Sequence, residues 1–211
     1  MPESQAVKVE LLSITPDAEK LIEEAGRTCY LSFDKASEES YKKFIRMIVR
    51  SGHHSVLEHA SATFRIKGGS RSFTHQLVRH RLCAFSQQSQ RYVDEKNFSI
   101  IIPDSIKKKN EAKELFLSLI NDAQKAYVKL QQSGIKKEDA RFVLPNAIES
   151  EIVMTANFRE LRHIFKERCH KAAQWEIRKI AIEMLKIMKQ ETPIVFEDFI
   201  VNEETQTTEM I

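Results

Sequence analysis

The sequence predicts a single helix-rich α+β domain with an antiparallel sheet, spanning residues 1–211. Three observations lead to that class. Some segments repeat apolar residues with the period of two of a half-buried strand, and others repeat them at i, i+3, i+4 and i+7 as amphipathic helices do. No repeat, linker or break in composition divides the chain. With 42% hydrophobic and 8% aromatic residues, a chain of 211 can bury one sizeable core.

In order, Val7 to Ile14 alternates and opens the fold as a strand, and Pro16 and Asp17 start a helix through Leu21 and Ile22 towards Gly26. Ser37 is an N-cap for a helix that turns Tyr41, Phe44, Ile45 and Ile48 to one side and stops at Gly52. Ala60, Ala62, Phe64 and Ile66 alternate with Ser61, Thr63, Arg65 and Lys67, a strand pattern ending in a turn at Gly68-Gly69. A helix over 70–81 places Phe73, Leu77 and Val78 inward, and the serine- and glutamine-rich stretch 84–91 is a polar loop. A short strand at 100–102 precedes Pro103. From Ile106 a long helix carries Ala112, Leu115, Phe116, Leu119, Ala123, Tyr127 and Leu130 in the strongest apolar stripe of the chain, stopping at Ser133-Gly134. Arg141 to Pro145 is a short element and Glu151 to Ala156 a strand. Phe158 to Phe165 and Ala172 to Met188 are helices, the second with Ile177, Ile180, Ala181 and Met184 on one face. The polar tail after Asn202 is expected to be disordered.

Composition excludes several functions. The 33 basic and 30 acidic residues leave a formal charge of +3, too little for a general electrostatic grip on nucleic acid. No run approaches the roughly 18 apolar residues of a membrane span. Met1 to Leu12 lacks the regions of a signal peptide, so a cytoplasmic protein without a membrane partner is expected. Cys29, Cys83 and Cys169 show no CxxC spacing, which points to reduced thiols rather than a disulfide framework or structural zinc. Only five glycines occur, where an average usage of about 7% predicts roughly fifteen. With neither GxGxxG nor GxxxxGK present, a bound nucleotide has to be held by side chains, and arginine is the candidate.

The densest polar cluster runs from Arg79 to Tyr92, with Arg79, His80, Arg81, Gln87, Ser89, Gln90 and Arg91. Between Arg71 and Arg91 the chain has four arginines and no acid, a pattern suited to an anion whose phosphates replace the missing carboxylates. A basic surface helix with a polar loop, or an RNA-contacting patch, is the competing reading. His53, His54, Glu58 and His59 raise metal binding, since His54 and Glu58 share a helix face, but the spacing is not HExxH and no metal is assigned. Cys83 could be a nucleophile with a lowered pKa; packing is the preferred role. Ser89 has no histidine–carboxylate pair nearby in sequence and is read as a hydrogen-bonding residue. Trp175 is assigned to the core or a subunit interface.

Arg79-His80-Arg81, seven further residues and Ser89 match the RHRx7S signature, and the chain resembles the flavin-dependent thymidylate synthases. Gly52 to His59 resembles that family's GHxSxxEH segment. Ala140-Arg141, Val143-Leu144-Pro145, Asn157 with Arg159, and Arg168 followed by Ala173 to Arg178 fall in the family's order, covering about residues 8 to 200. The resemblance implies reductive methylation of dUMP to dTMP, with methylene-tetrahydrofolate as carbon donor and NADPH as reductant through FAD, in a homotetramer with shared active sites. It places Ser55, Arg79, His80, Arg81, Leu82, Gln87, Asn157, Arg159 and His163 at the flavin, with His53 at its edge. Gln76, Arg79, Gln87, Ser89, Gln90, Arg91, Arg141 and Arg168 fall at dUMP, Arg168 as the catalytic residue. Gln87 stands where glutamate is common, Gln90 where glycine occurs, and His163 where asparagine occurs; Ala172 replaces a flavin-contacting histidine of some members. A protein of the same fold without catalysis, and an RNA-binding module, are the alternatives to this reading.

Overall fold

A computed structural model describes residue 4 and residues 6–210. The other residues, which include part of the opening stretch and the last residue of the tail, lie outside it. The elements are β1 (Lys8–Ile14), α1 (Ala18–Thr28), α2 (Ser40–Arg50), β2 (Ser61–Ser70), α3 (Arg71–Leu77), β3 (Ala84–Gln87), α4 (Asp104–Lys107), α5 (Asn110–Gln132), α6 (Lys137–Ala140), β4 (Glu149–Asn157), α7 (Phe158–Arg168), α8 (Trp175–Glu191), β5 (Phe199–Asn202) and β6 (Thr207–Met210). Short 3-10 turns cover Phe33–Lys35, His54–His59 and Arg141–Val143. The class is α+β. Four strands form one sheet in the order β1-β2-β4-β3, and β5 and β6 pair antiparallel in a second.

Contacts cluster into two compact units. The first holds residues 66–76 and 86–152 with the described residues up to 8; the second holds 9–65, 77–85 and 153–210. In the first, Phe98, Ile100, Ile102, Ile120 and Ile148 form a buried cluster, with Phe116 and Leu144 packed against it. In the second, Phe158, Phe165, Phe196 and Phe199 meet, with edge-on ring pairs at 5.6 Å for Phe165–Phe196 and 5.7 Å for Phe158–Phe196. That geometry adds to simple area burial because aromatic edges are positive and faces negative. Helix α8 buries Ile177, Ile180, Ala181 and Met184 as its periodicity predicts. At Gly26 an added Cβ would stand 2.3 Å from the Phe44 ring, so glycine lets α1 approach α2.

Several sequence expectations are corrected. The strand does not turn at Gly68-Gly69: β2 runs on to Ser70, with Gly68 at φ +77°, a conformation glycine adopts without a Cβ clash. The helix expected over 70–81 stops at Leu77. Backbone turns from His80 N to Leu77 O and from Cys83 N to His80 O then carry the chain into β3, where a polar loop was expected. In β3, Phe85 and Gln87 are half-buried and Ala84 and Ser86 exposed, a period of two that polar composition concealed. The expected strand at 100–102 is reduced to a single bridge, Ile100 to Ile148. The long helix is interrupted at Lys109, whose backbone is extended, and its stripe is divided: Phe116 and Tyr127 turn inward, while Leu115 is 74% and Leu119 65% exposed. The tail after Asn202 is ordered as the β5–β6 hairpin, because the Asn202 side chain accepts from the backbone N–H groups of Glu204 and Thr205 and so holds the turn. No helix among the described residues is long and apolar enough to cross a membrane.

Beneath the aromatic cluster, Arg162 of α7 forms a two-pronged ion pair with Asp198, with N–O distances of 2.7 and 2.6 Å. The Arg162 side chain is 6% exposed and that of Asp198 15%. Removing the acid leaves a buried guanidinium without its charge partner, the expensive way to break such a pair. Asp198→Ala is therefore expected to lose about 3 kcal/mol of folding stability, read as a lower urea midpoint at unchanged slope.

Candidate active site

The second unit contains a cavity of about 1070 Å³. Four pieces of chain build it. The turn after α3 supplies Arg79, His80, Arg81 and Leu82; the 3-10 turn before β2 supplies His54 and Glu58; the junction of β4 and α7 supplies Asn157, Arg159, Glu160, Arg162, His163 and Lys166; and β6 supplies Met210. Helix α7 starts where it does because the Asn157 side chain accepts from the Glu160 N–H at 2.9 Å, filling one of the donors a helix start leaves open. Arg159, Arg162, His163 and Lys166 then recur at helical spacing, so one face of α7 lines the cavity with basic side chains. Glu58 pairs with Arg159 at 2.5 Å and steadies that guanidinium at the rim.

His80 is the buried member, 6% exposed between two charged groups. Arg168 Nε donates to His80 Nε2 at 2.9 Å, and Glu160 Oε1 lies 3.4 Å from His80 Nδ1. Burial, with Arg168 and His163 next, lowers the His80 pKa to about 4. The imidazole is therefore neutral near pH 7, and the Glu160 contact is between a carboxyl group and a neutral ring rather than an ion pair. The Glu160 carboxyl is itself pushed up, first by burial. The ring of His163 stands edge-on to that of His80, with centroids 5.6 Å apart.

His80, Glu160 and His163 have potential ligand atoms within 4.8 Å of one another. The Arg168 guanidinium already sets a positive charge against the same imidazole, which opposes a second cation at its other nitrogen. Of the residues considered for metal binding from sequence, Glu58 is held by Arg159 and the His54 ring lies 3.2 Å from the Val49 carbonyl oxygen.

Most of the residues expected at a flavin come together here. Arg79, His80, Arg81, Leu82, Asn157, Arg159 and His163 line the cavity, and Arg168 joins it through His80. Ser55 and His53 line a different cavity of about 910 Å³ in the same unit, beside Lys35 and Lys43. The remaining expected residues belong to the first unit. There Gln87 donates to Thr74 at 2.8 Å and to Ser150 at 3.1 Å, and Gln76 donates to the Ser72 carbonyl. Ser89 Oγ accepts from the Arg91 N–H, and Gln90 is half-buried. Arg91 pairs with Glu138 at 3.0 Å, while Arg141 donates to the Glu138 backbone carbonyl, so both guanidinia are ordered around one residue. Arg71 has its pKa lowered by burial and then by Arg141.

Sequence reasoning missed Glu160, Arg162 and Lys166. In sequence, Asn157-x-x-Glu160 is a capping-box pattern and explains the glutamate without reference to any site. The basic spacing from Arg159 to Lys166 was the available signal for the other two. Cys83, half-buried, has its pKa pushed up to about 12 by burial and then by Glu160, which favours packing over nucleophilic attack.

The sequence matches the family described as thymidylate synthase complementing protein over residues 10–194. It is 45% identical to a flavin-dependent thymidylate synthase of Geobacter sulfurreducens, over 91% of this chain and 86% of the relative. It is 42% identical to one of Clostridium tetani, over 92% and 87%. Among solved structures, a UMP/dUMP methylase of Streptomyces cacaoi bound with 5-Br dUMP superposes with a TM-score of 0.83 at 25% identity, covering 93% of this chain and 96% of that one.

The lowered His80 pKa makes stability depend on pH. Between about 4 and 6.5 the unfolded chain binds a proton that the folded imidazole refuses, so the contribution is full above pH 6.5 and is lost as pH falls towards 4. At ~1.4 kcal/mol per unit this amounts to about 3.5 kcal/mol at most. Urea unfolding at pH 7, 5.5 and 4.5 is expected to show wild type losing more stability than His80→Gln. The difference between the two isolates the imidazole from Glu160, whose raised pKa acts with the opposite sign. Parallel pH profiles for the two proteins would contradict the assignment.

Proposed function

The chain belongs to the thymidylate synthase complementing family, that of the flavin-dependent thymidylate synthases, and on that premise we propose that the cavity of its second unit is the flavin site. The activity is that of a flavin-dependent thymidylate synthase, and FAD is the cofactor. The observation that carries the site reading is the set of cations around one cavity, Arg79, Arg81, Arg159 and Lys166, in a chain without a glycine loop for phosphates. Its volume of about 1070 Å³ suits a ligand of this size, for cofactor clefts run to roughly 1,000 Å³. The arginines would hold the pyrophosphate, Asn157 and His163 would hydrogen-bond, and Leu82, 76% exposed, would cover apolar surface of the ring system. Held there, the reduced flavin would supply the hydride that completes the new methyl group.

Substrate follows from the same chemistry. We assign dUMP to Arg79, Arg168 and the ordered polar set Gln76, Gln87, Ser89, Gln90, Arg91 and Arg141, with Arg91 and Arg141 suited to a phosphate. Methylene-tetrahydrofolate as carbon donor and NADPH as reductant complete the reaction. His53 serves at the flavin edge. Ser55, beside His53, keeps its flavin assignment, and Gln87 serves both ligands. The reading takes the chain as one cytoplasmic domain assembled as a homotetramer with shared sites, and the exposed Leu115 and Leu119 of α5 supply apolar surface for that assembly.

Arg168 is the catalytic residue of this reading. A guanidinium keeps its proton at working pH and cannot be a general base. Fixed by His80, it presents positive charge that favours negative charge on the pyrimidine as the ring carbon becomes nucleophilic. Removing one such preorganised group costs about a hundred- to a thousandfold in turnover. Arg168→Ala is expected to keep FAD and lose dTMP formation on that scale, with Arg168→Lys intermediate because it keeps charge without the planar fork. Steady-state assays with flavin content measured alongside decide it, and wild-type turnover in Arg168→Ala removes the residue from catalysis. Cys83→Ser is expected to keep most of the activity; a thousandfold fall with FAD still bound would make the thiol a participant.

A further inference from the structure

Glu160 has no part in the function set out above, and its place is unusual. It sits in the first turn of α7, its backbone N–H taken by the Asn157 cap, yet its side chain is turned inward and it is 6% exposed. A buried carboxyl group costs free energy unless it meets a partner. The partner within reach is His80 Nδ1 at 3.4 Å.

His80 is a one-proton group between two neighbours of opposite demand. Its Nε2 accepts from Arg168 Nε at 2.9 Å, so that nitrogen presents its lone pair. Because Nε2 is taken as an acceptor, a neutral ring carries its proton on Nδ1, the atom facing a carboxyl oxygen that can accept it. The three side chains form a row, carboxyl to imidazole to guanidinium, in which the Arg168–His80 hydrogen bond sets the ring's tautomer and the carboxyl oxygen approaches the nitrogen that carries the proton. With Nε engaged, the two terminal nitrogens of Arg168 are left to meet a ligand. Around the ring stand Arg168, Glu160, His163 and Glu167.

We propose that Glu160 is a positioning residue for the reaction: by holding the Nδ1–H tautomer of His80, it makes Nε2 the acceptor that orients the Arg168 guanidinium towards the pyrimidine. This rests on the reading of Arg168 as the catalytic cation. Without the Glu160 acceptor, the ring is free to place its proton on Nε2, which would turn a donor towards the Arg168 donor and release the guanidinium. Glu160→Gln keeps an acceptor oxygen and nearly the same volume; Glu160→Ala removes both. Because Glu160 acts through Arg168, its loss has nothing further to disturb once Arg168 is gone.

The test is a double-mutant cycle on the FAD-loaded protein, with dTMP formation read as kcat and KM. Glu160→Ala is expected to lower kcat about tenfold with dUMP KM and flavin content near wild type. Glu160→Gln should recover most of that loss, and in an Arg168→Ala background Glu160→Ala should change kcat by less than about twofold. The same factor in both backgrounds, or wild-type kcat in Glu160→Ala, overturns the proposal alone. Wild-type kcat in Arg168→Ala overturns the reading on which it rests and the proposal with it. Nitrogen-15 spectra of histidine in the same protein give a second readout that does not depend on turnover. Wild type should show His80 protonated on Nδ1, and Glu160→Ala a mixture; protonation on Nε2 in wild type overturns the proposal even if the variants fail to fold.

Discussion

A hydrogen bond from a guanidinium to a buried imidazole can form only if the imidazole is neutral, and the bond from Arg168 to His80 imposes that condition on everything around it. Burial satisfies it, bringing the His80 pKa to about 4. Burial in turn requires the chain to leave the helical path after Leu77, so that His80 goes inward while Arg79, Arg81 and Leu82 stay exposed. A continued helix would have turned these side chains through successive steps of about 100°, and the exposed cations would not have shared one cavity with the buried ring.

The surrounding charges are kept apart by acids placed behind them. Glu58 steadies Arg159, and Asp198 holds Arg162 with a two-pronged pair under the aromatic cluster of Phe165, Phe196 and Phe199. In the first unit Glu138 does the same for Arg91 and, through its backbone carbonyl, for Arg141. These acids come from distant parts of the sequence, and of the arginines in the basic stretch from Arg71 to Arg91 it is Arg91 that meets one of them, Glu138. In a chain with five glycines, planar side chains of fixed charge are the groups so held, where a glycine loop would have offered backbone N–H groups.

How far this was legible in the sequence differs by element. Where one physical signal dominates, as in the alternation from Ala60 to Ile66 or the face of Ile177, Ile180, Ala181 and Met184, the pattern gave the element and its orientation. Errors fall where two signals compete. The glycine pair reads as a turn yet lies within β2, and the polar residues of β3 conceal its period of two. The tail looks solvated until the Asn202 side chain is seen to hold its turn. Around the cavity, motif spacing pointed to His80, Arg159 and Arg168 but could not reveal that Glu160 is buried against His80, because burial is a tertiary property and its local sequence is already accounted for by helix capping.

Whether arginines around a buried neutral histidine form a flavin site is decided by a visible absorption titration of the protein with FAD. Saturable binding near one FAD per chain is expected, with the flavin bands shifted from those of free FAD, and weakened by at least tenfold when Arg79 and Arg159 are both replaced by alanine. A protein that leaves the spectrum of added FAD unchanged, or that binds it equally well without those two arginines, would contradict that assignment.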